Sequence, residues 1–322
     1  MKKVFLLSIL IFLFLTNITF AQEQPNNNKL EDQEDKTVVF NINLVMLDLA
    51  VLDKNGGFVS GLKRQDLKVY EDKVEQQIEV FTQESVPISF GLVIDTSGSM
   101  RFKLPMVINA AKEMLKRCKV GDEVFIVNMK DSQNIELVQS YTEDFTSASN
   151  TLDKFIPGGG TALLDGIVAA TRYGQAKGKN RRKALIIMSD GDDRTSTIDR
   201  EELINQLRNT DTQVYLLGFP EGFVAPDGKF IDYTLPKARK LLKKIAEESG
   251  GETFFPTSMA EILPILERIC VDLRTQYTIG YYPKDFYDGR WHSLEVKLVD
   301  RNKKYTVRTR TGYFAKKKNE EK

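Results

Sequence analysis

The period of the hydrophobic pattern constrains this chain most. Across residues 88–273, short apolar runs at Phe90–Ile94, Val124–Asn128, Ala184–Met188 and Val214–Gly218 alternate with amphipathic stretches. In one such stretch Leu104, Val107, Ala111, Leu115 and Cys118 share a helical face. This alternation predicts an α/β domain built on a mainly parallel sheet.

On either side the period drops to that of strands. Residues 37–85 carry Val39, Ile42, Leu44, Met46 and Leu49, then the runs Leu67–Tyr70 and Gln77–Phe81, and residues 275–314 carry Tyr277–Tyr282, Leu294–Val299 and Tyr305–Thr311. Each segment has about 40 residues, a length at which an isolated domain is hard to stabilise. One β-sandwich-like module of six or seven strands, interrupted by the α/β domain, is therefore favoured over two separate modules. Asp53-Lys54-Asn55-Gly56 looks faintly like a calcium loop, but Arg64 stands where such a loop needs glutamate, so it reads as a hairpin turn.

The termini read differently. Lys2 and Lys3 precede an apolar stretch, and Thr19-Phe20-Ala21 offers small side chains for an export peptidase, so residues 1–21 read as a signal peptide cleaved after Ala21. The alternative is an uncleaved anchor, since Val4–Phe20 lies at the lower edge of what spans a bilayer. Cleavage implies a periplasmic, cell-envelope or secreted protein with no transmembrane segment in the mature chain. Residues 22–36 are polar enough to form a disordered tether, and residues 315–322 a frayed tail.

Composition removes several functions. With 46 Lys plus Arg against 45 Asp plus Glu among 322 residues, no global field exists to hold nucleic acid, and cleavage would remove Lys2 and Lys3. The single histidine, His292, rules out an HExxH zinc site or a histidine cage. It reads as a surface or half-buried strand residue.

Site chemistry collects where the first α/β strand ends. Phe90–Ile94 runs into Asp95-Thr96-Ser97-Gly98-Ser99, and ligands of open α/β sheets bind at the carboxyl ends of strands. One carboxylate and two hydroxyls at alternate positions of a turn can face one point, and oxygen donors suit a hard cation. Gly158-Gly159-Gly160-Thr161 adds a hydroxyl after a glycine run, and Ala184–Met188 leads to Ser189-Asp190-Gly191-Asp192-Asp193. Alone, each of these motifs is an ordinary cap, loop or turn.

Taken in this order on these elements, DTSGS, GGGTAL and SDGDD resemble the von Willebrand factor type A domain and its metal-ion-dependent adhesion site. The resemblance covers residues 87–273. Gly61-Leu62, Asp66-Leu67, Gln76, Gly280-Tyr281-Tyr282-Pro283 and Gly312-Tyr313-Phe314 extend it toward an exported bacterial subfamily of Acidobacteria type. It implies a Rossmann-like doubly wound sheet. It also implies a divalent metal, Mg²⁺ or Mn²⁺, with Ser97, Ser99 and Thr161 as hydroxyl ligands and Asp95 and Asp190 holding the ion directly or through water. The implied mechanism is that an Asp or Glu of a partner protein completes the metal shell. In the resembling fold the helices bearing Cys118 and Cys270 are neighbours, which implies a Cys118–Cys270 disulfide; two buried thiols are the alternative. Asp192 and Asp193 read as solvated rim charges.

Enzymatic readings find little support. Ser97 stands where a phosphotransferase would carry a second Asp, and no G-x-S-x-G or Walker sequence is present. The expectation is a non-enzymatic, exported, adhesion-type binding module. The alternative is an assembly component of a cell-envelope complex with a stabilising or vestigial metal site. Residues 220–235, rich in Gly, Pro and aromatics, are either partner surface or a long loop.

Overall fold

The computed structural model describes residues 44–219, 222–232, 236–284, 287–300 and 304–317. The signal segment, the tether, the positions around Val39 and Ile42 and residues 318–322 lie outside them. The first strands are β1 (Val45–Leu52), β2 (Leu67–Glu71), β3 (Val74–Gln76) and β4 (Val80–Thr82). The α/β region begins with β5 (Ile88–Asp95), α1 (Leu104–Leu115), β6 (Glu123–Met129), β7 (Ile135–Thr142), α2 (Phe145–Leu152), α3 (Leu163–Lys177) and β8 (Arg182–Ser189). It continues through α4 (Arg200–Arg208), β9 (Gln213–Gly218), the hairpin β10 (Gly222–Val224) and β11 (Phe230–Asp232), α5 (Pro236–Ser249), β12 (Thr253–Phe254) and α6 (Ile262–Thr275). Last come β13 (Tyr277–Tyr281), β14 (Trp291–Leu298), β15 (Thr306–Arg308) and β16 (Gly312–Phe314).

The central sheet has the order β12-β9-β8-β5-β6-β7, parallel except for the antiparallel edge strand β7. All eight residues of β5 are buried, because helices cover both faces. Phe90, Leu92 and Ile94 pack with residues of α1, α2 and α6, whereas Val93 packs with residues of α3, α4 and α5. This is the doubly wound arrangement. The four strands expected in the α/β region are present, each one to three residues longer than the apolar run that announced it. Partly exposed β7 and the hairpin in the 220–235 segment lacked such a run.

Strands from before and after the α/β region interleave in two antiparallel sheets, β15-β1-β13-β4 and β16-β14-β2-β3. Both sheets contribute to one apolar cluster, including Leu47, Leu49, Val69, Ile279, Val296 and Tyr313. Among the described residues these strands number eight, not six or seven. The expected run Gln77–Phe81 pairs only from Val80, and Val74–Gln76 instead forms a hairpin with β2 through Asp72 and Lys73, both at positive φ. Buried Glu71 accepts hydrogen bonds from the hydroxyls of Tyr281 and Tyr313, so the two late tyrosine motifs meet on one carboxylate.

Two expectations change here. His292 is buried, its Nδ1 2.8 Å from Asp72 Oδ2 and its Nε2 3.1 Å from Asp288 Oδ1. Burial pulls its pKa down, but the bonds to Asp288 and Asp72 outweigh that and hold it above the ordinary imidazole value. The chain also stays ordered past residue 314. Ala315 is buried and donates its N–H to Arg290 O at 2.8 Å, because its methyl closes the apolar cluster and its amide extends the β14–β16 ladder.

Cys118 lies three residues past the end of α1, and it and Cys270 are free thiols in the structure. Both pack against the same apolar cluster. Burial pushes the Cys118 thiol up to about 12, with Asp122 and Cys270 adding to the effect.

Candidate metal centre

Strand order places the centre. From β5 the chain passes through α1 to β6 on one side of the sheet, and later returns through α3 to β8 on the other. The order therefore reverses at β5, and the crevice beyond the carboxyl ends of β5 and β8 is a topological switch point. Asp95 is the last residue of β5 and Asp190 directly follows β8.

Both carboxylates are fully buried. Asp95 accepts from Ser97 N–H at 2.9 Å and from Ser189 Oγ at 2.6 Å. Burial raises the Asp95 carboxyl to about 7, and the negative charge of Asp190 adds to the rise, against the pull of the Ser189 and Ser97 bonds. The Ser97 and Ser99 hydroxyls are 3.0 Å apart, Ser97 buried and Ser99 exposed, so the centre opens to solvent at Ser99.

Backbone bonds bring the glycine run to this turn. Gly98 N–H donates to Gly159 O at 3.2 Å and Gly158 N–H to Thr96 O at 2.8 Å. Gly159 sits at φ 80°, a left-handed conformation that permits this approach without a Cβ penalty. Thr161 O in turn accepts from Arg194 N–H at 2.9 Å and Thr195 N–H at 3.0 Å, in the loop that follows Asp190. All three expected motifs are thus joined. Thr161 is buried, one residue before the N-cap of α3.

This donor set fits a hard divalent cation. The charge of Asp190 adds to the cost of ionising buried Asp95, and the hydroxyls of Ser97 and Ser99 stand on the turn that follows it, so an ion accepting oxygen ligands would relieve that cost. Among the described residues no group of three His, Cys, Asp or Glu could hold a metal, so any site here depends on hydroxyls.

Two side chains do more than the sequence indicated. Asp193 Oδ1 accepts from Leu163 N–H at 2.8 Å and Ser196 Oγ at 2.6 Å, so it caps α3 and is not a solvated rim charge. Asp192 pairs with Arg194. Lys103, just before α1, is buried with Nζ 3.5 Å from Asp190 Oδ2. Its only sequence signal is a lysine abutting an apolar helical stripe four residues after Ser99.

Residues 90–192 match the family model of the von Willebrand factor type A domain. The chain carries a von Willebrand factor type A domain. The match ends short of Gly280–Pro283 and Gly312–Phe314, on which the resemblance to the exported Acidobacteria-type subfamily rests. Solved structures of similar fold include a von Willebrand factor type A protein from Catenulispora acidiphila, 14% identical, with a TM-score of 0.50 over 82% of this chain and 76% of that one. Another is an aerotolerance-related membrane protein from Bacteroides fragilis, 19% identical, with a TM-score of 0.47 over 58% of this chain and 98% of that one. A third is mussel byssus proximal thread matrix protein 1 with a zinc-occupied MIDAS motif, 18% identical, with a TM-score of 0.48 over 63% of this chain and 49% of that one. No curated protein matches the chain. No helix among the described residues is long and apolar enough to cross a membrane.

Proposed function

We propose that the von Willebrand factor type A domain serves an exported, metal-dependent protein-interaction module. Asp95, Ser97, Ser99, Thr161 and Asp190 would hold Mg²⁺ or Mn²⁺, and a partner's Asp or Glu side chain would complete the shell from the exposed Ser99 side. The observation that supports this reading is the meeting of two buried carboxylates with the segments bearing Ser97, Ser99 and Thr161 at the switch point, where the charge of Asp190 adds to the cost of ionising Asp95. Domains of this family are often metal-dependent interaction modules. Export rests on the composition of residues 2–21.

The surface around the centre supports a protein partner. Phe102 is 86% exposed and Ile156 71% exposed, on the loops that follow Ser99 and precede the glycine run. Between these loops lies a groove of about 420 Å³, lined by Arg101, Pro105, Ile108, Phe155 and Pro157 among others. Exposed large apolar residues beside polar ligands are typical of contact surfaces, where an aromatic anchor contributes about 2 kcal/mol or more.

The test is capture from the native cell envelope by full-length protein, in Mg²⁺ and in EDTA, with wild type and Asp95→Ala. Capture should require Mg²⁺, fail for Asp95→Ala and weaken for Phe102→Ala. Capture unchanged by EDTA and by Asp95→Ala would overturn the metal-dependent reading in favour of an assembly role for the β module.

A further inference from the structure

Helix α5 runs against the usual charge order. Helices favour acids in the first turn and cations in the last, and α4 complies: Asp199 caps it, Glu201 and Glu202 stand in its first turn and Arg208 in its last. In α5 the order is inverted. Lys237, Arg239, Lys240, Lys243 and Lys244 crowd residues 236–244 with no acid among them, and Glu247 and Glu248 follow near the end. Cations in a first turn and like charges three or four positions apart both cost helix stability. The helix holds because Leu242, Ile245 and Ala246 are buried against the sheet.

Two of these cations serve the fold. Arg239 pairs with Asp232 and lies 4.5 Å over the Phe255 ring, and Lys244 pairs with buried Glu248 at 2.5 Å. Lys237, Lys240 and Lys243 instead stand three positions apart and exposed. Their half of α5 flanks the metal centre. Leu242 packs so closely on Gly191, the residue after Asp190, that a Cβ there would lie 2.8 Å from Leu242 Cδ1. Helix α5 covers the sheet face of Val93, whereas α1, with the apolar groove, covers the other.

We infer, resting on the reading that a partner carboxylate binds at the metal centre, that Lys237, Lys240 and Lys243 form a second contact for that partner, whose binding segment carries several acidic residues. Along α5 these lysines advance about 4.5 Å each, and an extended chain advances about 3.3 Å per residue. Acids at every second position therefore keep a carboxylate near each lysine. The stripe attracts such a segment over about 8–10 Å at physiological salt, which speeds encounter and makes it salt-dependent. An acidic protein segment fits this face better than a bilayer, because among the described residues no exposed large apolar side chain lies on α5 to enter lipid.

The test uses full-length protein with Mn²⁺ in excess and two fluorophore-labelled twelve-residue peptides, one alternating Asp and Ser, the other with a single Asp among Ser and Gly. Affinities are read by anisotropy at low and at physiological salt. Lys237→Glu/Lys240→Glu should bind the alternating peptide roughly tenfold more weakly than wild type at low salt, with the gap narrowing as salt rises. Its affinities for the single-Asp peptide and for Mn²⁺ should stay within about threefold. Its urea midpoint should equal or exceed that of wild type, since acids replace cations in the first turns, so weaker binding is not misfolding. Equal binding of the alternating peptide by variant and wild type at both salts overturns the role of α5 and leaves the metal site standing. Binding that survives EDTA and Asp95→Ala but falls with the α5 variant keeps the basic face and overturns the metal-site reading. Binding to phosphatidylglycerol vesicles that the variant loses, with no binding of the alternating peptide, makes the occupant a membrane and overturns the acidic-partner assignment.

Discussion

Arg182, the first residue of β8, donates from Nη1 to Leu273 O at 2.8 Å and from Nη2 to Asp48 Oδ1 on β1 at 3.3 Å. A buried guanidinium thus ties the parallel sheet to the β module. Arg181 bonds both oxygens of the same carboxylate, at 3.0 and 2.7 Å, and Thr278 Oγ1 donates to it at 2.6 Å. Burial raises the Asp48 carboxyl, but Arg181 and Arg182 outweigh it and hold the pKa low. Removing Asp48 would leave Arg182 buried without this partner, a loss that costs about 3–5 kcal/mol. Asp48→Ala should therefore lower the urea midpoint strongly while Mn²⁺ affinity at the distant strand ends stays unchanged. A loss of unfolding free energy below about 1 kcal/mol would show the junction to be unimportant.

Thr161→Val separates ligation from stability. Valine keeps the shape of threonine and removes only the hydroxyl, so metal-free stability should change by less than about 1 kcal/mol. Mn²⁺ affinity should nevertheless fall about tenfold or more, the scale of losing one oxygen from the shell. Comparable losses in stability and affinity would mean that Thr161 is a packing residue.

His292 makes the β module sensitive to pH. Both ring nitrogens face carboxylates, Asp72 and Asp288, with Glu71 at 3.8 Å and the Tyr313 ring stacked alongside. Its folded pKa is raised above the unfolded value near 6.5, so the imidazolium's stabilisation is complete below about pH 6.5 and fades as pH rises through the folded pKa. Urea midpoints of wild type should fall across that window, and those of His292→Gln should fall less. Parallel curves for the two proteins would dismiss the effect.

The thiols offer a chemical check. With the Cys118 pKa near 12, thiolate is scarce, so iodoacetamide should modify Cys118 in folded, reduced protein roughly a thousandfold more slowly than an ordinary exposed cysteine. Urea should abolish the protection. Non-reducing mass spectrometry of exported protein tests the Cys118–Cys270 bridge: a mass lighter by two hydrogens establishes it, and two alkylatable thiols exclude it.

The α/β region was legible because its signals are local and strong. Strands buried on both faces, such as Phe90–Ile94, must be apolar throughout, and Asp95-Thr96-Ser97-Gly98-Ser99 sits where such a strand has to end. Strand β7, half exposed, had no pattern to betray it, and the Val74–Gln76 hairpin depends on two residues at positive φ that are not glycine.

What the sequence determined by itself was the doubly wound domain, the flanking strands and the three motifs at the strand ends, since periodicity and strand-end motifs depend on neighbours along the chain. Only the tertiary structure decided the charge and the connections of the centre. Lys103 meets Asp190 across 87 positions of sequence, Asp193 turns back to cap α3, and His292 lies between Asp72 and Asp288. Burial in three dimensions makes each of these charges need a partner, and no local pattern in a sequence records which distant residue will supply it.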